Sequence, residues 1–257
     1  MIADPHVCRP WVAPGRMRAI IAQVNALDAD MIVVAGDVLP DRNLACQHLK
    51  AHEIVPLLRP LRAPLGVFSV LGNHDWRDCR QAMETGGAEN SVVEAFSGEG
   101  MALLRNESRQ LSHLGYPFWV VGFDSQIPLR WGQKPFVRPD EAFAQVPEGA
   151  PAILLAHEPD YFAKGDTRPI LQISGHTHGG QFVLLGRRPM TPSRYGDRYS
   201  IGHIVEGGRH LIVSAGIGYS GMPFRFGVPP EIVVIEVVRH DATTTHLAEI
   251  EEASCND

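Results

Sequence analysis

Two histidines spaced two residues apart mark the stretch of this sequence where chemistry is most clearly encoded. His176 and His178 lie in the segment GHTHGG at residues 175–180, directly after an apolar run at residues 170–173. The apolar run predicts a buried strand, and the glycines allow a tight turn and a close approach of the backbone to a ligand. Two imidazoles at one strand end predict a metal-binding crevice. From this stretch alone, a turn that merely contains two histidines is an equal alternative.

Four further clusters supply the other residue types that a metal site needs. They are Asp4 with His6, Asp37 after Gly36, the sequence GNHD at residues 72–75, and His157. Carboxylate, imidazole and amide ligands together suit Mn, Fe or Zn, and the lack of cysteine among them argues against a structural zinc knot. Each cluster alone is explained as a turn, a surface pair or a rim histidine. Their joint occurrence favours a site for two divalent ions that share one carboxylate.

Hydrophobic periodicity indicates which elements position these clusters. We predict helices at residues 14–27, 44–58, 91–96 and 139–146, and strands at residues 31–35, 66–71, 118–123, 152–156, 170–173, 181–185, 210–214 and 231–238. Alternating strands and helices are typical of an α/β sandwich, in which ligands bind beyond the carboxyl ends of strands. The clusters fall at such ends. Only three residues precede Asp4, so either the first strand is very short or the chain begins later than in its relatives, and Asp4 is expected to be weakly anchored.

Length and composition favour one large soluble-type domain. The chain has 257 residues, of which 44% are hydrophobic, and a formal net charge of -6. We predict a single domain over residues 1–257 with a disordered polar tail from about residue 250. The acidic balance argues against nucleic acid as a partner. No apolar run approaches the ~20 residues of a membrane span, and the four cysteines lack disulfide-like spacing, so we expect a cytoplasmic protein.

Taken in order, the clusters follow the pattern DxH, GD, GNHD, H and GHxH. This pattern resembles that of the calcineurin-like metallophosphoesterases, and all of its parts are present between Asp4 and His178. The resemblance implies an α/β fold, a four-layer α/β/β/α sandwich with mixed sheets. It also implies a hydrolase that uses two divalent metal ions, with Mn favoured and Fe or Zn as alternatives. A water or hydroxide between the two ions would be the nucleophile.

The resemblance further implies a role for each residue that matches the pattern. Asp37 would bridge the two ions, and His74 would be a non-ligand that contacts the phosphoryl group and assists the leaving group. Asp75, next in the sequence, could orient the His74 imidazole. The remaining ligands would divide into a first group of Asp4, His6 and His178 and a second group of Asn73, His157 and His176.

The last third of the chain resembles the bacterial YkuE/YaeI-like phosphodiesterase branch of this family. The similarity lies in GHTHGGQ, in PSRYG at residues 192–196 and in RFGVPPEI at residues 225–232. It implies Mn-favoured hydrolysis of a small phosphodiester or a nucleotide-lipid, with possible peripheral contact to a membrane. Some members cleave the pyrophosphate of UDP-2,3-diacylglucosamine. The sequence gives no indication of the oligomeric state.

Several residues near the motifs could contact a substrate. Arg194, Tyr195 and Arg225 are candidates, because guanidinium groups bind phosphate and a tyrosine ring can stack on a base or sugar. A solvated basic loop explains Arg194 and Tyr195 equally well, and Arg225 could instead pair with an acid. Trp131 and Phe136 lie in the long loop at residues 124–139 and are more simply explained by packing. Their exposure would favour a lipid-bearing substrate.

Three other functions share parts of this evidence. A phosphomonoesterase would use the same core chemistry, and only the subgroup resemblance favours a diester. A nuclease would need a basic groove, which the acidic composition does not indicate. A non-catalytic scaffold on the same fold would be expected to have lost ligands, whereas every predicted ligand is present. We therefore expect a metal-dependent phosphodiesterase.

Overall fold

A computed structural model describes residues 1–238 and, for the backbone alone, residues 252–254. The helices are α1 (Pro14–Ala26), α2 (Ala51–Leu58), α3 (Asn73–Arg77), α4 (Arg80–Thr85), α5 (Ser91–Gly98) and α6 (Pro139–Phe143). The strands are β1 (Cys8–Arg9), β2 (Ile32–Val34), β3 (Gln47–His48), β4 (Val67–Ser69), β5 (Ala102–Leu103), β6 (Glu107–His113), β7 (Tyr116–Gly122), β8 (Ala152–Leu155), β9 (Leu171–Ser174), β10 (Gly202–Glu206), β11 (Arg209–Val213), β12 (Glu231–Val233) and β13 (Glu252–Ser254). Short 3-10 helices lie at Pro159–Lys164, His178–Gly180 and Gly196–Tyr199.

Two sheets form the centre of the molecule. The larger has the strand order β10-β11-β9-β8-β7-β6, in which β11, β9, β8 and β7 run parallel and the two edge strands are antiparallel. The smaller has the order β2-β4-β5 and is parallel. Both sheets therefore present several carboxyl strand ends, which is where the predicted ligands follow.

Apolar side chains divide the molecule into four layers. Val33 and Phe68 of the smaller sheet pack with Ile153 and Ile173 of the larger sheet, forming the core between them. On the outer face of the smaller sheet, buried residues of β2 pack against α1, α2 and α5. On the outer face of the larger sheet, residues of β7 and β8 pack against α6. The predicted α/β/β/α sandwich with mixed sheets is confirmed.

The first residues of the chain are held more firmly than the sequence suggests. Ile2 forms a parallel bridge with Val34, and Met1 exchanges two backbone hydrogen bonds with Val233. Ile2 and Ala3 are fully buried. The expectation that Asp4 is weakly anchored is wrong, because its backbone N–H donates to Gly36 and its carbonyl accepts from Gly218.

Some predicted elements differ from those observed. The helix expected at residues 44–58 begins only at Ala51, because the Glu53 carboxylate accepts the Lys50 N–H and caps the helix there, while Gln47–His48 pairs with β1. Residues 181–185 are not a strand, since Gln181 and Leu185 have positive φ angles that break an extended run. The polar strand β6 and helices α3 and α4 were not predicted.

Two sequence-based expectations concern the ends and the extent of the fold. Residues 252–254 form β13 and pair with β12, so the expected disordered tail is wrong for these three residues. The rest of that tail lies outside the described residues, and the single domain stays a prediction. Within the part of the chain that is described, no helix is long and apolar enough to cross a membrane.

Candidate metal centre

The seven predicted ligands follow strand ends of both sheets, and all are buried. Asp37 follows β2, Asn73 is the first residue of α3 after β4, and His157 follows β8. His176 and His178 follow β9, and Asp4 and His6 follow the bridge between Ile2 and Val34. The carboxyl ends of β2 and β4 thus face those of β8 and β9 across the sandwich, which brings together residues as far apart as 4 and 178.

The side chains gather into two groups around one carboxylate. His178 Nε2 lies 3.2 Å from His6 Nε2 and 3.6 Å from Asp4 Oδ1, which defines the first group. Asp37, His157 and His176 form the second group, in which ligand atoms lie within 4.8 Å of one another. Asp37 Oδ2 is 3.0 Å from His157 Nε2 and 3.7 Å from His6 Nε2. Asp37 therefore touches both groups.

Hydrogen bonds at one ring nitrogen of three histidines leave the other nitrogen available. His6 Nδ1 is 2.8 Å from the Leu39 carbonyl oxygen, and His157 Nδ1 is 2.6 Å from that of Ala35. His176 Nε2 is 2.9 Å from the Pro192 carbonyl oxygen. A carbonyl can only accept, so each of these nitrogens carries a proton, and in the neutral ring the opposite nitrogen keeps the lone pair that a metal would need. Such outer hydrogen bonds are the usual way of orienting histidine ligands of metals.

Unpartnered buried atoms test whether the residues fit a cation. Asp37 Oδ2, Asn73 Oδ1 and His157 Nε2 are buried and lack a hydrogen-bond partner of ordinary geometry. Burying such atoms without a partner costs free energy, on the order of 1–3 kcal/mol for each group. All three belong to predicted ligands of the same ion. Divalent cations satisfy them, and the donor set matches the mixed oxygen and nitrogen preference of Mn, Fe and Zn.

Charge and burial oppose each other within the cluster. Burial raises the pKa of Asp4 to about 7, although His157 counteracts this. Burial acts in the same direction on Asp37, but the neighbouring imidazoles of His157, His74 and His6 outweigh it and hold its pKa well below the ordinary value. Burial lowers the pKa of His6 to about 4 and that of His176 to about 3. Burial also disfavours the charged form of His157, but Asp37 outweighs burial and raises the pKa of that imidazole well above its ordinary value. Metal binding requires neutral imidazoles beside an ionised carboxylate, so a bound cation would displace the His157 proton.

The backbone at the cluster is unusual. Asp4, His6, Asp37, His176 and His178 all have positive φ angles, between 41° and 73°. Residues other than glycine rarely adopt this region, and such strain concentrates at functional sites. Five of the seven predicted ligands share it, which favours a functional rather than a packing role.

Glycines allow the loops to approach each other closely. A Cβ on Gly72 would lie 2.1 Å from Asp37 Oδ1, and a Cβ on Gly175 would lie 2.4 Å from Asp4 Oδ2. Real Cβ atoms do not come so near, because the contact is strongly repulsive. These glycines therefore permit the carboxylates to reach their positions.

We expect the Gly72→Ala variant to lose bound metal and to lose about 10²-fold in activity, since a displacement of roughly 1 Å at a reacting centre has that effect. The added methyl group must push Asp37 away. Metal content by mass spectrometry and turnover of an aryl phosphodiester measure the result. Gly98→Ala is the control, because a Cβ there meets nothing within 4 Å. Equal metal content and turnover in the two variants would contradict the expectation.

His74 occupies a different position from the ligands. Its side chain is 19% exposed, and its Nδ1 lies 2.5 Å from Asp78 Oδ2. Burial disfavours its charged form, but Asp37 and the hydrogen bond to Asp78 outweigh burial and raise the pKa of His74 to about 9. Cations bound at Asp37 would lower that pKa by repulsion. An imidazolium reachable from solvent suits a proton donor.

Asp75 binds backbone N–H groups and does not contact the His74 imidazole as predicted. Its carboxylate accepts backbone N–H groups of Asp37 at 2.8 Å, Leu39 at 3.0 Å and Gly72 at 2.9 Å. It thus ties together the two loops that carry Asp37 and Asn73. The expected orientation of His74 by Asp75 is corrected, because Asp78 performs it. The spacing of four residues between His74 and Asp78 on a helical turn was the signal that could have revealed this pair.

Asp41 is a further acidic residue that sequence reasoning did not single out. Its Oδ1 lies 4.0 Å from His74 Nδ1, and its Oδ2 accepts from Ser220 and from the Gly221 N–H. Asp41, His74 and Asp78 form a small acidic pocket around one imidazole. No spacing rule in the sequence connects Asp41 with residues 220–221.

The three predicted substrate residues separate in the structure. Arg194 and Tyr195 are exposed and lie close to Pro192, whose carbonyl holds His176. Their substrate role stays a prediction. Arg225 is different, because its guanidinium donates to the carbonyls of Ala215 and Gly218 and contacts His178 Nδ1 at 3.2 Å. It supports a predicted ligand from behind, and its role toward substrate stays a prediction.

The two residues of the long loop also separate. Phe136 stacks on Trp76 with ring centroids 3.6 Å apart, which confirms packing for this residue. Trp131 is 96% exposed, and the packing explanation is wrong for it.

A four-layer α/β sandwich with a buried carboxylate, imidazole and amide cluster at its strand ends defines the class of metal-dependent phosphoester hydrolases. The sequence model of the calcineurin-like phosphoesterase family matches residues 1–180 of this chain. The chain belongs to this family, and it is a metal-dependent hydrolase of phosphoric esters.

Individual relatives extend the similarity to most of the chain. The metallophosphoesterase YkuE of Bacillus subtilis is 33% identical over 85% of this chain and 71% of its own length. A metallophosphoesterase of Aquifex aeolicus is 28% identical over 91% of this chain and 82% of its own length. The phosphodiesterase YaeI of Escherichia coli is 30% identical over 92% of this chain and 80% of its own length. The resemblance to the YkuE/YaeI-like branch is thereby confirmed.

Proposed function

We propose that this protein is a dinuclear-metal phosphodiesterase that hydrolyses a phosphodiester or pyrophosphate bond. The observation that carries the proposal is the position of Asp37 between two groups of ligand atoms, 3.7 Å from His6 Nε2 and 3.0 Å from His157 Nε2. A single carboxylate in this place can serve two ions. Mn is the favoured metal, with Fe or Zn as alternatives, because the ligands mix carboxylate, imidazole and amide donors.

The residues of the chain divide the work between holding and proton transfer. Asp4, His6 and His178 would hold one ion, Asn73, His157 and His176 the other, and Asp37 both. When bound, such ions polarise the phosphoryl group and lower the pKa of a water molecule, so that hydroxide is available near neutral pH. Carbonyl hydrogen bonds orient the imidazoles of His6, His157 and His176 before substrate arrives. The Arg225 guanidinium donates to the His178 carbonyl oxygen and so holds the backbone of that ligand.

His74 is the proton donor in this proposal. Asp78 engages its Nδ1, which leaves Nε2 as the nitrogen that can give a proton to the departing oxygen. The positive charge of the imidazolium also stabilises the negative charge that develops on the phosphoryl oxygens. Asp41 adds negative charge near the ring and so favours the protonated form.

The preference for diesters rests on the relative from Escherichia coli, which is named a phosphodiesterase. Arg194 and Tyr195 lie exposed near His176 and could receive the second ester group of such a substrate. A phosphomonoesterase and a hydrolase of UDP-2,3-diacylglucosamine are the alternatives with the same core chemistry. The substrate panel described next distinguishes them.

We expect Mn-loaded protein to hydrolyse a generic aryl phosphodiester faster than the corresponding monoester by about tenfold or more, a difference near 1.4 kcal/mol in activation free energy. The reason is the similarity to the Escherichia coli relative that is named a phosphodiesterase, because the core metal chemistry by itself serves both kinds of ester. Release of the aryl alcohol is followed by absorbance, with UDP-2,3-diacylglucosamine as a third substrate. Metal-free protein prepared with a chelator is the control.

Each outcome of the panel separates the candidate functions. Faster hydrolysis of the monoester would replace the diesterase by a phosphomonoesterase. Strong preference for the lipid nucleotide would identify the substrate as a pyrophosphate-linked lipid. Two bound ions without turnover of any substrate would contradict the enzymatic proposal and support a scaffold.

A further inference from the structure

Two loops with exposed apolar tips flank the predicted metal centre. The tryptophan loop, residues 125–138, follows β7, and the leucine loop, residues 182–196, follows β9. Both strands run parallel to β8, which lies between them and ends next to His157. The two loops therefore leave the same edge of the sheet, from strand ends about 10 Å apart, on either side of a predicted ligand.

The tips of both loops are apolar and almost fully exposed. Trp131 at the tip of the tryptophan loop is 96% exposed, and Leu184 and Leu185 in the leucine loop are 61% and 94% exposed. Beside the leucine loop, Phe224 and Phe226 are also exposed. Single exposed apolar residues are common on protein surfaces, but a group of them at one functional edge marks an interaction site.

Ordered contacts at the base of each loop hold these tips outward. At the base of the tryptophan loop, Ser125 Oγ and the Gln126 N–H donate to the carboxylate of Glu158, the residue that follows His157 in the sequence. At the other end of the loop, Phe136 stacks on Trp76. At the start of the leucine loop, the side chain of the preceding Gln181 bonds to the backbone of residues 220 and 222, and the Val183 N–H donates to the Phe226 carbonyl oxygen. The exposure of the tips is thus imposed by the fold around the site.

The three segments that form the outer part of this edge have a charge opposite to that of the whole chain. The tryptophan loop, the leucine loop and the adjoining residues 219–230 contain seven Lys or Arg and no Asp or Glu, whereas the formal net charge of the chain is -6. Arg130, Lys134, Arg187 and Arg194 are exposed among the apolar tips. Cations interspersed with exposed Trp, Leu and Phe are the pattern by which proteins bind the interface of an anionic lipid bilayer.

We propose that this edge docks on the surface of an anionic lipid bilayer, with Trp131, Leu184 and Leu185 inserted among the headgroups and the four exposed cations on the lipid phosphates. Nucleic acid would match the cations but offers nothing for two adjacent leucines at a loop tip. Docking in this orientation places the metal centre of the proposed hydrolase at headgroup depth. It depends on the loops and not on bound metal.

Vesicle sedimentation tests the proposal with the full chain in the presence of a chelator. We expect binding to vesicles of phosphatidylcholine mixed with phosphatidylglycerol, weak binding to phosphatidylcholine alone, and on binding a blue shift of tryptophan emission that the Trp131→Ser variant lacks. The Leu184→Ser, Leu185→Ser double variant should partition about tenfold more weakly, as should Trp131→Ser. Leu114→Ser is the matched control, because Leu114 is 84% exposed in the β6–β7 turn at the opposite edge.

The outcomes separate docking from catalysis. Equal binding of all variants, equal loss in Leu114→Ser, or binding to single-stranded DNA but not to vesicles would overturn the docking surface. Turnover of the soluble aryl phosphodiester is measured separately, on Mn-loaded protein from the same purification without chelator, and reports on the metal centre alone. Protein that hydrolyses the diester without binding vesicles contradicts only the docking, and protein that binds vesicles without any turnover contradicts only the proposed hydrolase.

Discussion

We expect the Asp37→Asn variant to lose activity by a factor on the order of 10³ or more, together with most of its bound metal. Asp37 reaches both groups of ligand atoms, at 3.0 Å from His157 Nε2 and 3.7 Å from His6 Nε2. Asp37 Oδ1 accepts a hydrogen bond from the backbone N–H of His74 at 2.8 Å. Asparagine keeps the shape of the side chain and an oxygen that can accept this hydrogen bond. It removes the negative charge that two divalent ions would share.

The measurements are metal content, turnover of the aryl phosphodiester and the rise in melting temperature on addition of Mn. A ligand that binds only the folded state stabilises it, so the variant should show little of that rise. Asp28→Asn is the control, because Asp28 is exposed and shares a positive φ angle with Asp37, 50° against 57°. A variant that retained two ions per chain would show that Asp37 does not bridge them.

The His74→Ala variant should lose turnover by about 10²- to 10⁴-fold, the usual contribution of a general acid, while its metal content stays at the wild-type level. His74 lies near Asp37 and His6, but its Nδ1 is engaged by Asp78 and its side chain is open to solvent, unlike the buried ligands. Single-turnover kinetics and metal analysis on the same sample measure the two effects. His210→Ala, at an exposed position on β11, is the control.

The Asp78→Asn variant provides a test that a merely structural role would not satisfy. Asp78 helps to raise the pKa of His74, so its removal should lower that pKa. Because His74 acts in its protonated form, activity falls as pH rises through its pKa, and the alkaline limb of the pH profile should move to lower pH. Loss of metal in His74→Ala, or an unmoved limb in Asp78→Asn, would show that the role of His74 is misassigned.

The residue types of the site and their order along the chain were predictable without a structure. Clusters of Asp, His and Asn after apolar runs are local patterns that can be recognised in the sequence. An apolar run followed by glycine is compatible with few local structures other than a strand that ends in a tight turn. The same locality indicated the alternation of strands and helices that led to the α/β/β/α sandwich. Strand β6 escaped prediction because it is an edge strand with polar residues, and the start of α2 was misplaced because its cap lies in the middle of an apolar pattern.

Only the tertiary structure decided which polar residue supports which ligand. Asp75 and Asp78 are both near His74 in sequence, but the path of α3 turns Asp75 toward the backbone of Asp37 and Asp78 toward the imidazole. Arg225 is 47 residues from His178 and reaches it through the packing of residues 215–225 against the first residues of the chain. Hydrogen bonds over such separations depend on where the two sheets place their loops, and no local pattern in the sequence encodes that placement.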